Sequence, residues 1–209
     1  MNQKYLNLAS HLYPVTTLGP GNRYAIWVQG CPFSCKGCCT PDYIPFTKAS
    51  MIQVEELAHE ILKKDSIDGV TLSGGEPFAQ AEALSLLILH IKSQRPDMNF
   101  ISFTGFSFEK LKSKEQIKLL GLLDLVITEL FVEDLNTEFG LSGSENQKFI
   151  FLTSRLDAFR EEIEKGKKKI QSFILNDQIV QVGIMSESER KYQETLFSAL
   201  QDIGLMTKI

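Results

Sequence analysis

The sequence has no cysteine outside one short loop. All four cysteines of the 209-residue chain stand at positions 31, 35, 38 and 39. A disulfide framework spreads its cysteines along the chain so that each bond closes a useful loop, and this placement does not do that. The lack of a signal segment and of a membrane span leads us to expect a cytoplasmic protein, and clustered cysteines in such a protein indicate metal or redox chemistry.

Long apolar runs and a surplus of basic residues are also missing. No apolar stretch reaches the roughly 18 residues of a membrane span, and no leader-like segment opens the chain, so we expect no membrane partner. The 22 Lys and Arg residues against 26 Asp and Glu residues give a net charge of −4, which argues against nucleic acid as a partner. A hydrophobic share of 43% predicts an ordinary globular chain, and we expect residues 1–209 to form one domain.

Strand and helix patterns alternate along the chain. Apolar residues alternate at 23–29, and short apolar runs predict further strands at 70–72, 99–103, 122–128 and 147–152. Ser50 and Gln53 have the spacing of a capping box that opens a helix, and later helices are predicted at 78–94, 108–120, 154–168 and 187–203. Strands 172–175 and 178–184 form a predicted hairpin across Asn176-Asp177. The alternation predicts an α/β fold with right-handed βαβ units and a mainly parallel sheet.

Four candidate functional loops directly follow predicted strands. They are the cysteine loop, the Gly74-Gly75 loop, the Thr104-Gly105 loop and the region 128–146. In parallel sheets, ligands bind at the carboxyl ends of the strands. We therefore expect the four loops to share one rim and to form one site.

The cysteine loop has the spacing of a cluster-binding motif. Thiolates suit zinc and iron–sulfur clusters, and Cys31, Cys35 and Cys38 can converge on one centre. A [4Fe–4S] cluster usually takes four protein thiolates, so three leave one iron open. The amino and carboxylate groups of S-adenosylmethionine (SAM) can chelate that iron.

Cys39 leaves an alternative open. It adjoins Cys38, and successive side chains of an extended segment point in opposite directions, so we expect Cys39 to border the cofactor and not to bind the cluster. A redox thiol is a second possibility for this residue. For the whole loop, the alternative is a structural zinc site that uses all four cysteines.

The motifs resemble those of the glycyl-radical-activating branch of the radical SAM superfamily, and within it the activators of anaerobic ribonucleoside-triphosphate reductase. The matching order covers about residues 15–152. The residues that carry the resemblance are Gly19-Pro20-Gly21, Trp27-Val28-Gln29-Gly30-Cys31-Pro32, Cys35-Lys36-Gly37-Cys38, Ser73-Gly74-Gly75-Glu76-Pro77, Thr104-Gly105-Phe106 and Gly143-Ser144-Glu145-Asn146-Gln147.

The resemblance implies a fold and a set of cofactor residues. It implies a partial (β/α)6 barrel, with core residues 15–152 and an added C-terminal hairpin and helix within 153–209. It implies that Gly74, Gly75, Glu76 and Pro77 line the amino-acid end of SAM, where Glu76 could accept a hydrogen bond from the ammonium group. Gly37, Thr104 and Asn146 are further expected cofactor contacts.

The sequence departs from the activator pattern at three places, and these differences bear on which substrate the protein uses. Cys39-Thr40-Pro41 stands where the subgroup usually has an aromatic residue or His followed by Asn-Pro. Thr128-Glu129-Leu130-Phe131 stands where it tends to have Asp-Gly-Pro-Phe, and Leu18 replaces an Asp.

The resemblance favours an enzyme that installs a glycyl radical on a partner such as anaerobic ribonucleotide reductase. Reduced flavodoxin or ferredoxin is the electron donor that it implies. The alternative is a stand-alone radical SAM enzyme that modifies a small molecule or a ribosomal peptide. A non-enzymatic zinc or interaction module is the third hypothesis.

Overall fold

The fold was obtained as a computed structural model, which describes residues 4–175 and 178–202. The strands are β1 Tyr5–Val15, β2 Arg23–Val28, β3 Ser50–Gln53, β4 Gly69–Gly74, β5 Asn99–Phe103, β6 Leu125–Thr128, β7 Lys148–Phe151, β8 Ile170–Leu175 and β9 Gln178–Gly183. The helices are α1 Val54–Leu62, α2 Ala81–Gln94, α3 Lys114–Leu120, α4 Arg160–Lys165 and α5 Glu187–Asp202. In the described part of the chain, no helix is both long and apolar enough to cross a membrane.

A seven-stranded sheet organises the described residues, in the order β3-β1-β2-β4-β5-β6-β7. The pairs β2–β4, β4–β5 and β5–β6 are parallel, which confirms the predicted α/β class. The outer strands β1, β3 and β7 pair antiparallel with their neighbours. The expectation of a mainly parallel sheet therefore holds for the four central strands and not for the edges.

The start of the sheet departs from the predicted pattern. Strand β1 was not predicted, and Ser50–Gln53 is strand β3, which pairs with Tyr5–Leu8 of β1. The predicted capping box at Ser50 was therefore wrong, because the sheet takes up the backbone groups of this segment. A capping box does form at Ser113 and Gln116, where it opens α3.

Two layers cover the sheet. Helices α1, α2 and α3 bury their apolar sides, including Leu57, Leu84 and Leu119, against one face. The segment after β7 covers the other face: Leu156 and Ile163 pack on Ile101, Leu125 and Ile127, and Val182 of β9 packs near Ala25 of β2.

The C-terminal hairpin and helix are confirmed within the described residues. Strands β8 and β9 pair antiparallel, and α5 follows. The predicted turn residues Asn176 and Asp177, and the predicted helix end at Ile203, lie outside the described residues. The predicted helix 154–168 is instead a 3-10 segment, Ser154–Phe159, followed by the short α4.

The buried Arg23 fixes the register of three central strands at the edge opposite the predicted site. Its guanidinium donates to Thr71 Oγ1 of β4 at 2.5 Å, to Asn99 Oδ1 of β5 at 2.8 Å and to the Val70 carbonyl at 2.8 Å. Burial lowers the pKa of Arg23 to about 9. Because β2, β4 and β5 run parallel from this edge, their carboxyl ends lie together at the opposite edge of the sheet.

Candidate active site

The cysteine loop leaves β2 and folds back on itself. The Gly30 N–H donates to the Tyr43 carbonyl at 2.8 Å, and the Cys31 N–H donates to the Ile44 carbonyl at 2.9 Å. The buried Gln29 amide donates to the Pro45 carbonyl at 2.7 Å. These bonds close the loop from its base, so the cysteines lie on a segment held at both ends.

Three cysteines lie half-buried on this loop. The fourth is exposed as a residue, although burial of its thiol raises the pKa of Cys39. Cys31, Cys35 and Cys38 are partly covered, whereas Cys39 is exposed. Burial raises the pKa of Cys31 to about 11, and negative charge on Glu76, Cys35 and Cys38 adds to this rise. Burial also raises the pKa of Cys35. The thiols are near enough to influence one another, and metal binding would release their protons.

Among residues 31–39, cysteine is the only residue type with a side chain that commonly binds metals. Among residues 4–175 and 178–202, no three His, Cys, Asp or Glu side chains converge closely enough to hold a single metal ion. Three thiols on one half-buried loop fit the thiolate ligation that iron–sulfur clusters require. Cys31, Cys35 and Cys38 have the chemistry that such a cluster requires, and their role as its ligands stays a prediction.

The Gly-Gly-Glu-Pro loop is tied to the cysteine loop through backbone bonds. The Gly75 N–H donates to the Val28 carbonyl at 2.7 Å, and the Glu76 N–H donates to the Gly30 carbonyl at 2.9 Å. A Cβ on Gly75 would lie 2.3 Å from the Gly30 oxygen, so this contact requires glycine. Thr40, which marks one departure from the activator pattern, donates its hydroxyl to the Gly74 carbonyl at 3.1 Å. The two predicted loops are thus one structural unit.

The Glu76 carboxylate joins this unit to the loop after β5. It is 1% exposed and accepts hydrogen bonds from the Phe78 N–H at 2.9 Å, the Thr104 hydroxyl at 2.8 Å and the Gly105 N–H at 2.8 Å. Burial raises the pKa of Glu76 to about 7, although these hydrogen bonds oppose the rise. Its contact with the SAM ammonium stays a prediction, as do the cofactor contacts of Gly74, Gly75, Pro77 and Thr104.

A cleft of about 170 Å³ opens where three of the loops meet. It is lined by residues of the cysteine loop, the β5 loop and the region after β6, among them Phe33, Gly105, Phe106, Lys110, Glu129 and Asn146. The rings of Phe33 and Phe106 meet edge to face, with centroids 4.9 Å apart. This arrangement confirms that the predicted loops share one rim. The sequence did not single out Phe33, although its place inside the cysteine loop was a usable signal.

Asn146 lines this cleft, and its contact with the cofactor stays a prediction. Its Nδ2 donates to the Leu130 carbonyl at 2.8 Å, and its buried Oδ1 has no hydrogen-bond partner among the described residues. The neighbouring Gln147 turns away from the cleft: its amide donates to the Glu129 carbonyl at 3.0 Å and accepts from the Gly143 N–H at 2.6 Å. Asn146 thus has an unpaired buried acceptor beside the cleft, whereas Gln147 supports the loop.

Glu129 adopts a left-handed backbone conformation, with φ of 81°. It stands where the activator pattern has glycine, a residue that adopts this conformation freely. The Glu129 N–H donates to the Phe106 carbonyl at 3.1 Å, and Gln147 binds its carbonyl, so the loop holds the residue in place. A side chain in this conformation costs about 1–2 kcal/mol, which indicates a position retained despite strain.

Substitutions at position 129 test this strain. We expect Glu129→Gly to keep the stability of the protein or to raise it by up to about 1 kcal/mol, because glycine removes the clash. We expect Glu129→Val to lower it by about 2 kcal/mol, because a β-branched residue tolerates positive φ least. Urea unfolding of the three proteins measures both changes, and equal midpoints for the Glu129→Val and Glu129→Gly proteins would argue against strain at this residue.

A charged bridge that was not predicted lies beside Gly37. Glu133, just after β6, binds Lys36 of the cysteine loop at 3.1 Å and also Arg190 of α5. Gly37 has φ of 71°, and a Cβ there would lie 2.6 Å from Glu133 Oε1. The space beside Gly37 is therefore filled by the bridge. No local sequence pattern signals it, since its three residues are far apart in the chain.

Comparison with known proteins agrees with the site. A sequence model of the family described as 4Fe-4S single cluster domain matches residues 17–150. The chain is 32% identical over 143 residues to the anaerobic ribonucleoside-triphosphate reductase-activating protein of Enterobacteria phage T4, covering 66% of this chain and 89% of the relative. It is 30% identical over 146 residues to the protein of the same name in Escherichia coli K12, and the match covers 65% of this chain and 92% of that relative. It is 28% identical over 167 residues to the pyruvate formate-lyase-activating enzyme of Staphylococcus aureus USA300, and the match covers 75% of this chain and 66% of that relative.

The chain belongs to the 4Fe-4S single cluster domain family, within the glycyl-radical-activating branch of the radical SAM enzymes. It is a radical SAM enzyme, and its cofactors are a [4Fe–4S] cluster and SAM. The zinc interpretation of the cysteine loop was therefore wrong. The family match ends at residue 150, so α4, β8, β9 and α5 lie beyond it.

Proposed function

We propose that this enzyme installs a glycyl radical on a partner protein, most simply an anaerobic ribonucleotide reductase. When bound, the cluster supplies the electron that cleaves SAM and yields a 5′-deoxyadenosyl radical, which abstracts hydrogen from a glycine Cα. The names of the relatives from phage T4 and Escherichia coli support this substrate. The observation that carries the proposal is the open cleft that Phe33 of the cysteine loop lines together with Gly105 and Asn146, on the rim where a partner's loop can reach it.

The residues of this rim take distinct roles in the proposal. Cys31, Cys35 and Cys38 hold the cluster. Gly74, Gly75, Glu76 and Pro77 line the amino-acid end of SAM, and Gly37, Cys39, Thr104 and Asn146 border the rest of it.

The aromatic pair Phe33 and Phe106 supports this arrangement, because apolar walls keep water from a reactive radical. A glycine substrate also fits, since a residue without a side chain lets a loop enter a narrow cleft.

Four broader statements belong to the same proposal. Residues 1–209 form one radical SAM domain, with core 15–152 and extension 153–209. The four parallel strands with their crossover helices belong to a partial (β/α)6 barrel. Reduced flavodoxin or ferredoxin donates the electron. The free thiols and the cluster that they hold favour a reducing compartment, and we place the protein in the cytoplasm.

The test uses the full chain, reconstituted with iron and sulfide under anaerobic conditions. Incubation with SAM, a reductant and an anaerobic ribonucleotide reductase should give the electron paramagnetic resonance doublet of a glycyl radical on the reductase. A reductase with its radical glycine changed to alanine is the matched control and should give no doublet. Absence of the doublet with the unchanged reductase, while SAM is still cleaved, would contradict the proposed substrate.

A second candidate is a stand-alone enzyme that acts on a small molecule or a ribosomal peptide. Glu129-Leu130, which replaces the activator's Gly-Pro, favours it because both residues line the cleft. The source of the hydrogen atom in 5′-deoxyadenosine distinguishes the two candidates. A stand-alone enzyme consumes hydrogen from its small substrate, so deuterium from that substrate would appear in 5′-deoxyadenosine without any protein partner.

A further inference from the structure

The C-terminal helix α5 places the side chain of Arg190 next to the cysteine loop. Arg190 lies in the first turns of α5, beyond the segment that the family match covers. Its Nη1 binds Glu133 Oε1 and lies 3.2 Å from the position that a Cβ on Gly37 would occupy. Gly37 stands between the cluster ligands Cys35 and Cys38. A residue of the extension therefore borders the turn that carries two ligands.

The start of α5 is fixed, which gives Arg190 a defined position. The buried Ser186 donates its N–H at 3.0 Å and its hydroxyl at 3.1 Å to the Glu189 carboxylate. Ser188 donates its hydroxyl to Glu138 at 2.9 Å, and the Arg190 N–H donates to the Ser186 carbonyl at 3.0 Å. These contacts fasten the first turn of α5 to the segment after β6.

The side chain of Arg190 is only partly satisfied. The side chain is 28% exposed, and its buried Nε–H has no acceptor among the described residues. A buried donor without a partner is costly, so this N–H is suited to an acceptor that binds at the site. Lys36, on the other side of Glu133, is 85% exposed and provides a weaker, solvated charge.

We propose that Arg190 is a positioning residue of the cofactor site, supplied by the C-terminal extension. Together with Glu133 it holds the turn at Gly37, and its positive charge beside this turn favours the reduced state of the bound cluster. Net charge and hydrogen bonding around a cluster set its reduction potential, and a nearby cation stabilises the added electron. The inference rests on the cluster assignment and not on the identity of the partner.

Two variants with opposite charge changes test this role. In the reconstituted full chain, Arg190→Gln removes one positive charge, and the ratio of reduced to oxidised cluster at a fixed potential should fall roughly tenfold. Glu133→Gln removes one negative charge and should raise the same ratio by a similar factor. A tenfold change is what one charge within about 10 Å produces at an effective dielectric constant of about 20. Anaerobic spectroelectrochemical titration measures both ratios.

Two further proteins separate the charge of Arg190 from its packing. Arg190→Lys keeps the charge and should titrate within about twofold of the unchanged enzyme. Arg160→Gln removes an equal charge from α4, where Arg160 pairs with Asp157 and stacks on Phe151, and should leave the titration unchanged. Both proteins should hold as much iron as the unchanged chain.

Three outcomes would overturn the inference. One is an unchanged titration for Arg190→Gln. Another is a shift of Arg190→Gln and Glu133→Gln in the same direction, which mere loosening of the loop would produce. The third applies if the Arg190→Gln protein does not fold. A large change in the ratio of reduced to oxidised cluster in Arg190→Lys, which keeps the positive charge, would then show that the charge is not what matters. Failure of the enzyme to activate a reductase while these shifts are present would reject the proposed function and leave this inference standing.

Discussion

Replacing Cys35 by alanine is expected to remove the iron–sulfur cluster and to abolish SAM cleavage. Cys35 is one of three half-buried cysteines, and the three His residues of the chain lie on β1, α1 and α2 and not on the cysteine loop. With two protein thiolates left, the cluster loses a ligand that the fold cannot replace, so production of 5′-deoxyadenosine should fall at least about 100-fold. Iron and sulfide analysis and the visible absorbance of the cluster measure the loss after anaerobic reconstitution.

Cys39→Ala is the matched control, because it removes a thiol from the same loop. Cys39 is exposed, whereas its neighbour Cys38 is half-buried. Its variant should bind as much iron per chain as the unchanged protein and cleave SAM at close to the original rate. A Cys35→Ala protein that still cleaves SAM would refute the cluster assignment, and a Cys39→Ala protein without a cluster would assign Cys39 as a ligand.

Glu76→Gln should give the largest loss of stability among changes that keep the shape of the site. At pH 8, above its pKa of about 7, the carboxylate accepts three hydrogen bonds from Phe78, Thr104 and Gly105. Glutamine offers only one acceptor oxygen, and its amide would face the Gly105 N–H as a second donor. The lost charged hydrogen bond and the unsatisfied buried donor lower the free energy of unfolding. Neutral glutamine also escapes the burial cost that raises the pKa of Glu76, which offsets part of this loss, so we expect a net fall of about 2 kcal/mol.

Urea unfolding of the cluster-free chain at pH 8 isolates this effect from cluster loss. Glu109→Gln is the matched control, since Glu109 is exposed and no hydrogen bond to its carboxylate is present among the described residues. It should unfold within about 0.5 kcal/mol of the unchanged chain. Equal midpoints for the Glu76→Gln and Glu109→Gln proteins would show that the Glu76 carboxylate does not join the two loops.

The central strands and the position of the site could be predicted from the sequence. The apolar runs of β4, β5 and β6 are short and bounded by turns, which is typical of buried parallel strands. Each is followed by a loop with glycine or polar residues, and parallel strands place such loops on one rim. Cys31, Cys35 and Cys38 were identifiable because their spacing and their isolation from any other cysteine are local features.

Features that depend on distant partners could not be predicted in this way. Strand β1 carries Asn7, Ser10 and His11 and a proline near its end, so its apolar alternation is weak, and its pairing with β2 and β3 decides its structure. Ser50 and Gln53 fit a capping box locally, but the same residues complete a strand. The bonds of Glu76 to Thr104 and Gly105, and of Glu133 to Arg190, join residues that are 28 to 57 positions apart.

The cover that the C-terminal segment forms over the sheet limits how this protein can be shortened. Ile101, Leu125 and Ile127 lie at 0% exposure because Leu156 and Ile163 pack on them. A chain cut after Leu152 would keep the three predicted cluster ligands and every residue of the family match. It would nevertheless present an apolar strip of sheet to water, which is a surface that aggregates. The residues of the family match are therefore not expected to be stable on their own. Fragments for biophysical work should retain α4 and the β8–β9 hairpin.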